Sequence, residues 1–175
     1  MAAELRDRLP EVGAKKLHKL LYYCQGHHLV ATGAPLFVES VSAWDQGPVV
    51  GRLWRSELDG EQPAARQPMD EAQLNTVGYV VSRYGRLSGR DLEHLTHSED
   101  PRRRADAMRS AGQSVRIEER WLRKYFESSV GEDDEDDLVD QEVVRAWLTG
   151  ARDRLSDELA VDSVGDLRSR LHDAG

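Results

Sequence analysis

Cysteine is nearly absent: Cys24 is the single one in 175 residues, so no disulfide can close within the chain, and a reducing, cytoplasmic setting is expected. No apolar run approaches the roughly 20 residues that span a bilayer, so no membrane helix is expected. The first residues, MAAELRDRLPE, hold no apolar signal core, and secretion is not expected. Positive charge is also short, with 24 Lys and Arg against 32 Asp and Glu and a net charge of −8. An acidic chain gains nothing from releasing phosphate counterions, so nucleic acid is not the expected partner of the whole molecule. No nucleophile elbow, phosphate-cradling glycine loop or zinc-ligand spacing occurs, and no internal repeat is visible.

What is there is a soluble globular composition, 39% hydrophobic and 32% charged, of a length that suits one domain with a small addition. The charge is uneven. Residues 127–175 hold 5 basic against 15 acidic residues, a balance of −10, whereas residues 1–126 hold 19 against 17, a balance of +2. The run EDDEDD within 131–137 is too repulsive and too poor in apolar residues to pack, and reads as a linker. The expected organisation is therefore a domain over 1–126, an acidic linker over 127–137 and a helical extension over 138–175. The fold class expected is mainly α, a compact helical domain with one or two short β-strands around Val38 to Trp44, plus that C-terminal helical tail.

Along the domain, Leu17, Leu20, Leu21, Cys24, His28 and Ala31 recur at helical spacing and predict a helix with one apolar stripe on a polar rod. Gly33 stops it, since glycine takes a left-handed closing residue at no steric cost. Gly47-Pro48 predicts the start of a second helix, with Pro48 at its first position, closed by Asp59-Gly60. Asp70 caps a helix whose Leu74, Val77, Val81 and Tyr84 face one way. Ser88 and Asp91 have capping-box spacing; Leu92 and Leu95 follow, and Asp100 is expected to cap the next helix. Ile117, Trp121, Leu122, Tyr125 and Phe126 form a further apolar face. Trp44, Trp54 and Trp121 are expected in the core, because large aromatics dominate small cores. Trp147 lies in a segment too short to form a core alone, so its stripe with Val139 and Val143 needs something to dock on.

Three clusters invite chemistry. Cys24, His27 and His28, with His94 and His97, raise a metal, but Cys24 and His28 share the apolar stripe, and packed core residues account for them at less cost; no metal and no cofactor is expected. Thr96-His97-Ser98-Glu99-Asp100 offers a general base beside carboxylates, as in a small hydrolase built on His97. Helix-end capping by Thr96 and His97 is the preferred reading, and no catalytic residue is assigned. Arg102 to Arg104, Arg109, Arg116, Arg120, Arg123 and Lys124 make a candidate phosphate-facing surface, against which stands the overall acidity; a protein partner or the acidic linker is an equal target.

The blocks Lys16-Leu17, Leu20-Leu21-Tyr22-Tyr23, Gln25-Gly26, His28, Gly33-Pro35-Leu36-Phe37, Ala43-Trp44 and Gly47-Pro48-Val49-Val50, followed by Leu92, Leu95-Thr96-His97 and Glu99, resemble the Panacea antitoxin domain. That domain is also found in the SocA antitoxin and in phage-associated proteins. The likeness covers roughly residues 10 to 126 by motif. It implies a cytoplasmic, non-catalytic antitoxin that binds and neutralises a cognate toxin, encoded by an adjacent gene and unrelated from one member to the next. SocA-type members can also deliver the toxin to a cellular protease, so the alternative is a protease adaptor or phage-related regulator. The motif residues Leu21, Tyr23, Gln25, Gly26, His28, Trp44, Gly47, Pro48, Val49, Thr96 and His97 are implied to be mostly structural. For partner contact the expectation falls on Lys19 and Tyr22 of the first helix, the Gly47-Pro48 turn, and Val143, Trp147 and Leu148 of the tail. Three residues depart from the family pattern: His27 replaces a common aromatic, Cys24 a common alanine and Arg102 a frequent tryptophan. The last puts the packing around residue 102 in doubt.

Overall fold

The computed structural model describes residues 1–61, 66–110 and 112–130. Residues 131–175, and with them most of the expected linker, the tail and the candidates Val143, Trp147 and Leu148, lie outside the described residues. The described part is mainly helical, as expected: α1 (Ala2–Arg8), α2 (Ala14–Thr32), α3 (Gly51–Leu58), α4 (Glu71–Tyr84), α5 (Gly89–Ser98), α6 (Asp100–Ala107) and α7 (Glu119–Val130). Three short strands accompany them, β1 (Val41–Trp44), β2 (Gly47–Val50) and β3 (Val115–Arg116). Among the described residues no helix is long and apolar enough to cross a membrane.

The fold is organised around α2. Its residues from Leu17 to Gly26 are buried without a break, and α1, α4, α5 and β2 pack against it. An unbroken buried run on a helix requires cover on every side, so the single apolar stripe expected from the sequence is corrected to a fully enclosed helix. Polar residues are enclosed too, among them His18, Lys19 and Gln25. Gly33 closes α2 in the left-handed conformation at φ 76°, as its position predicts. Gly26 lies directly under an aromatic ring of another helix. A Cβ added there would lie 2.2 Å from the Phe126 ring of α7, so only the bare glycine lets that ring rest on α2.

The Gly47-Pro48 segment is not a helix start. Val41 to Trp44 pair antiparallel with Gly47 to Val50 across an Asp45-Gln46 turn, and β3 adds on the other side of β1, giving the order β2-β1-β3. β2 is therefore an edge strand, where Pro48 costs the ladder no hydrogen bond, and α3 begins only at Gly51. Gly47 takes φ 94°, while no non-glycine residue described has a positive φ. The turn thus places its left-handed residue on the glycine after Asp45-Gln46.

The later helices start largely as expected. Asp70 and Gln73 form a reciprocal capping box on α4, and Ser88 and Asp91 another on α5. The buried face of α4 is Thr76, Val77 and Val80, while Leu74 is half open to solvent. On α6 Pro101 sits in the first turn, but the N-cap is Glu99, not Asp100, and its carboxylate makes no cap bond. Ile117 precedes α7, its N–H donating to Val41 O at 2.8 Å. Trp121 is partly buried and packs against the core, whereas Trp44 and Trp54, also partly buried, stand apart from it, which corrects the expectation that those two are core residues.

Candidate functional site

The polar residues enclosed with α2 each hold a particular piece of chain. Gln25 Oε1 accepts from the backbone N–H of Leu36 at 3.0 Å and of Phe37 at 3.2 Å, and its Nε2 donates to Phe37 O at 3.2 Å. One side chain so fastens the loop after Gly33 to the helix. His28 Nδ1 lies 2.9 Å from Thr76 Oγ1, whose own proton goes to Ala72 O at 2.9 Å. A hydroxyl has one proton to give, so His28 carries the shared hydrogen on Nδ1 and donates it. Burial holds the His28 imidazole below its usual range. Leu21 and Cys24 are core residues, and burial pushes the Cys24 thiol up to about 12, which leaves it an inert small hydrophobe. His27 lies among Tyr79, Tyr84 and Phe126, with its Nε2 3.1 Å from Tyr84 Oη.

Glu99 turns inward from the α5–α6 junction and accepts from the hydroxyls of Tyr22 and Tyr23, both at 2.7 Å. Burial raises its carboxyl to about 7 against the pull of those two hydrogen bonds. Tyr23 stacks on Tyr84 at 4.0 Å, and Phe126 meets Tyr22 and Tyr23 edge-on. The sequence reading placed Tyr22 on a partner-facing side; the structure buries it completely.

The β1–β2 hairpin is gripped from three directions. His18 Nδ1 accepts from Val50 N–H at 3.3 Å, which puts the ring proton on Nε2. Burial, ahead of the opposing attraction of Glu57, lowers this imidazole to about 4. Lys19 Nζ reaches Pro48 O at 3.5 Å. Arg102 Nη2 donates to Trp44 O at 3.2 Å and Nη1 to Asp106 at 3.1 Å. Arg109 spans Asp45 at 2.5 Å and Asp106 at 3.0 Å. Where a tryptophan is frequent in the family, Arg102 therefore holds the hairpin turn by hydrogen bonds. Thr96 is wholly buried, its hydroxyl donating within α5 to Leu92 O at 2.9 Å and Glu93 O at 3.0 Å. A Cβ on Gly47 would meet Lys19 Cε at 2.9 Å and Thr96 Oγ1 at 3.1 Å, so this glycine is required by space as well as by φ.

Beside the hairpin a half-open groove of about 380 Å³ runs between α2 and α3, lined by Ala14, Lys15, His18, Lys19, Trp44 and Trp54 together with the hairpin residues Asp45, Gln46 and Val49. Trp44 and Trp54 lie 4.8 Å apart and form its aromatic wall. Lys19 is 1% exposed, and burial lowers its ammonium to about 8, more than the attraction of Glu93 restores. Trp44 Nε1, His18 Nε2 and Arg102 Nε are buried donors with no hydrogen-bond partner among the described residues.

The other clusters seen in the sequence disperse. Among the described residues no three His, Cys, Asp or Glu side chains converge as metal ligands. Of the segment around His97, Glu99 points to the tyrosines and Asp100 pairs with Arg104 at 2.6 Å. His97 is half-buried, with Nε2 unpartnered among the described residues, and burial holds it below its usual range; its neighbours in sequence are not brought together as an acid–base pair. Most of the basic residues suspected of facing phosphate are matched by acids of the same domain, Arg116 by Glu119 and Arg123 by Glu127 in addition to those above. The groove itself was missed in the sequence, because its wall comes from residues read as core. Two tryptophans ten residues apart on either side of Gly47-Pro48 were its available signal.

No curated protein and no solved structure gives a significant match to the chain. Residues 17–101 match the family described as antitoxin SocA-like, Panacea domain, and this stretch, from Leu17 in the enclosed α2 to Pro101 at the head of α6, is an antitoxin-like domain of the Panacea family.

Proposed function

We propose that this chain is the antitoxin of a toxin–antitoxin pair and neutralises a toxin, encoded by an adjacent gene, through direct protein contact in the cytoplasm. The observation that carries the reading is the family match over 17–101, which spans the enclosed polar residues from His18 to Glu99. The use of that framework supports it. Tyr22, Tyr23, Gln25, His28 and Thr96 spend their hydrogen bonds on neighbouring chain segments and leave little reactive chemistry at a surface. A protein that works by contact needs a rigid scaffold and an accessible aromatic patch, and Trp44 and Trp54 supply such a patch.

The test is growth of cells expressing the adjacent gene with and without this chain. Toxicity alone, rescue by the chain and co-purification of the pair are expected. A harmless neighbour overturns the reading. Rescue without a complex removes direct neutralisation and leaves an adaptor that delivers the toxin for proteolysis.

A further inference from the structure

The groove beside the hairpin holds a cation without an adequate counter-ion. Lys19 is an ammonium with three donors, and its one hydrogen-bond acceptor among the described residues is Pro48 O at 3.5 Å, the long limit of such a bond. The acids around it already have cations of their own. Glu93 is bound by Lys15 at 2.7 Å, Asp45 by Arg109 at 2.5 Å, and Glu57 by Arg6. A buried charge left in that state is costly, and buried charges in proteins are ordinarily paired. The nearby orphan atoms have the same sign of demand. His18 Nε2, protonated because Nδ1 accepts from Val50, and Trp44 Nε1 both have a hydrogen to give; the nearest carboxylate oxygen to His18 Nε2 is 3.9 Å away on Glu57. The buried donors Lys19, His18 and Trp44 are thus short of acceptors, while at the groove's margin Lys15 is paired with Glu93 and Asp45 with Arg109, and two indole rings form an apolar wall.

We propose that this groove receives an acidic side chain of the toxin, an Asp or Glu flanked by an aromatic or aliphatic residue, with Lys19 as the counter-ion and Trp44 and Trp54 as the packing surface. The assignment rests on the antitoxin reading above and deepens it. A protein segment is favoured over a small anion because the groove is half open and sets two adjacent indoles, Trp44 and Trp54, beside a buried cation, and tryptophan is a residue type enriched in binding hot spots. Replacing buried charge by an apolar chain of similar volume is often neutral or stabilising for a fold, and the one bond Lys19 would lose, to Pro48 O, is long at 3.5 Å. Lys19 is therefore expected to act on binding and stability in opposite directions, which a purely structural lysine would not do.

The experiment uses the full chain and the adjacent gene's product. Lys19→Met is expected to keep or raise the thermal midpoint of the free chain and to weaken the complex on the order of thirtyfold or more. Trp54→Ala is expected to weaken it as well, with the fold retained. Wild-type affinity in Lys19→Met overturns the proposal. So does a parallel loss of stability and binding, which would assign Lys19 to holding Pro48 alone. Should the wild-type pair not associate, the antitoxin reading fails, and the groove is judged without it. In that case 3-phenylpropionate is expected to shift the indole N–H resonances of Trp44 and Trp54 in the wild type and not in Lys19→Met. Equal shifts from neutral 3-phenylpropanol, or none from the acid, overturn the carboxylate assignment.

Discussion

At the scale of single residues, the motif glycines are explained by what approaches them. Gly26 looks like a liability inside a 19-residue helix, since glycine there costs about 1 kcal/mol relative to alanine. The Phe126 ring reverses the sign. An alanine Cβ would lie 2.2 Å from it, and overpacking a tight core costs roughly 1–3 kcal/mol. Gly26→Ala is accordingly expected to lower stability by up to about 2 kcal/mol in urea unfolding, and Phe126→Leu in the same chain to recover part of that loss. A stabilised Gly26→Ala would show that the ring yields freely. None of this was legible in the sequence beyond the presence of the glycine, because its partner lies 100 positions further along. Arg102 shows the same limit. As a departure from a family tryptophan it looked like a lost anchor, and only the position of Trp44 O reveals the hydrogen bond that takes over.

At the scale of elements, legibility followed locality. The capping boxes at Asp70 and Ser88 and the glycine stop at Gly33 were readable because their partners are three or four residues away. Gly47-Pro48 was misread because that dipeptide suits a helix start and an edge strand equally, and the choice is made by pairing with Val41 to Trp44. The enclosed α2 escaped the pattern for a related reason. Periodicity counts His18, Lys19 and Gln25 as a polar face, yet each finds an acceptor or donor on another element. Gln25 tests this most directly. Gln25→Leu keeps the volume but leaves the N–H groups of Leu36 and Phe37 without their acceptor, at roughly 1–3 kcal/mol for each buried orphan. The expected result is a loss of about 2–4 kcal/mol, with hydrogen exchange at Leu36 and Phe37 accelerating ahead of α2 and α4. Uniform acceleration across the domain would instead mean that the loop does not open independently of the core.

At the scale of the whole molecule, burying ionisable groups makes stability depend on pH in two opposing ways. Glu99 keeps its proton to about 7 in the folded state against 4.5 for the ordinary carboxyl. Between those values the folded chain holds the extra proton, so the stability this confers is full below 4.5 and is lost as pH rises through 7. His18 runs the other way. Its folded value of about 4 lies below the ordinary 6.5, the unfolded chain holds the extra proton in between, and stability increases as pH rises across that interval. Each displacement corresponds to roughly 3 kcal/mol, and the windows overlap, so the two largely cancel between about pH 4.5 and 6.5. Glu99→Gln separates them. The amide keeps one acceptor and one donor for the Tyr22 and Tyr23 hydroxyls but cannot titrate. The thermal midpoint of Glu99→Gln relative to wild type is expected to climb steadily from pH 4.5 to 7. A difference that stays constant with pH would mean that Glu99 is ionised throughout, and that the two tyrosine hydrogen bonds outweigh its burial.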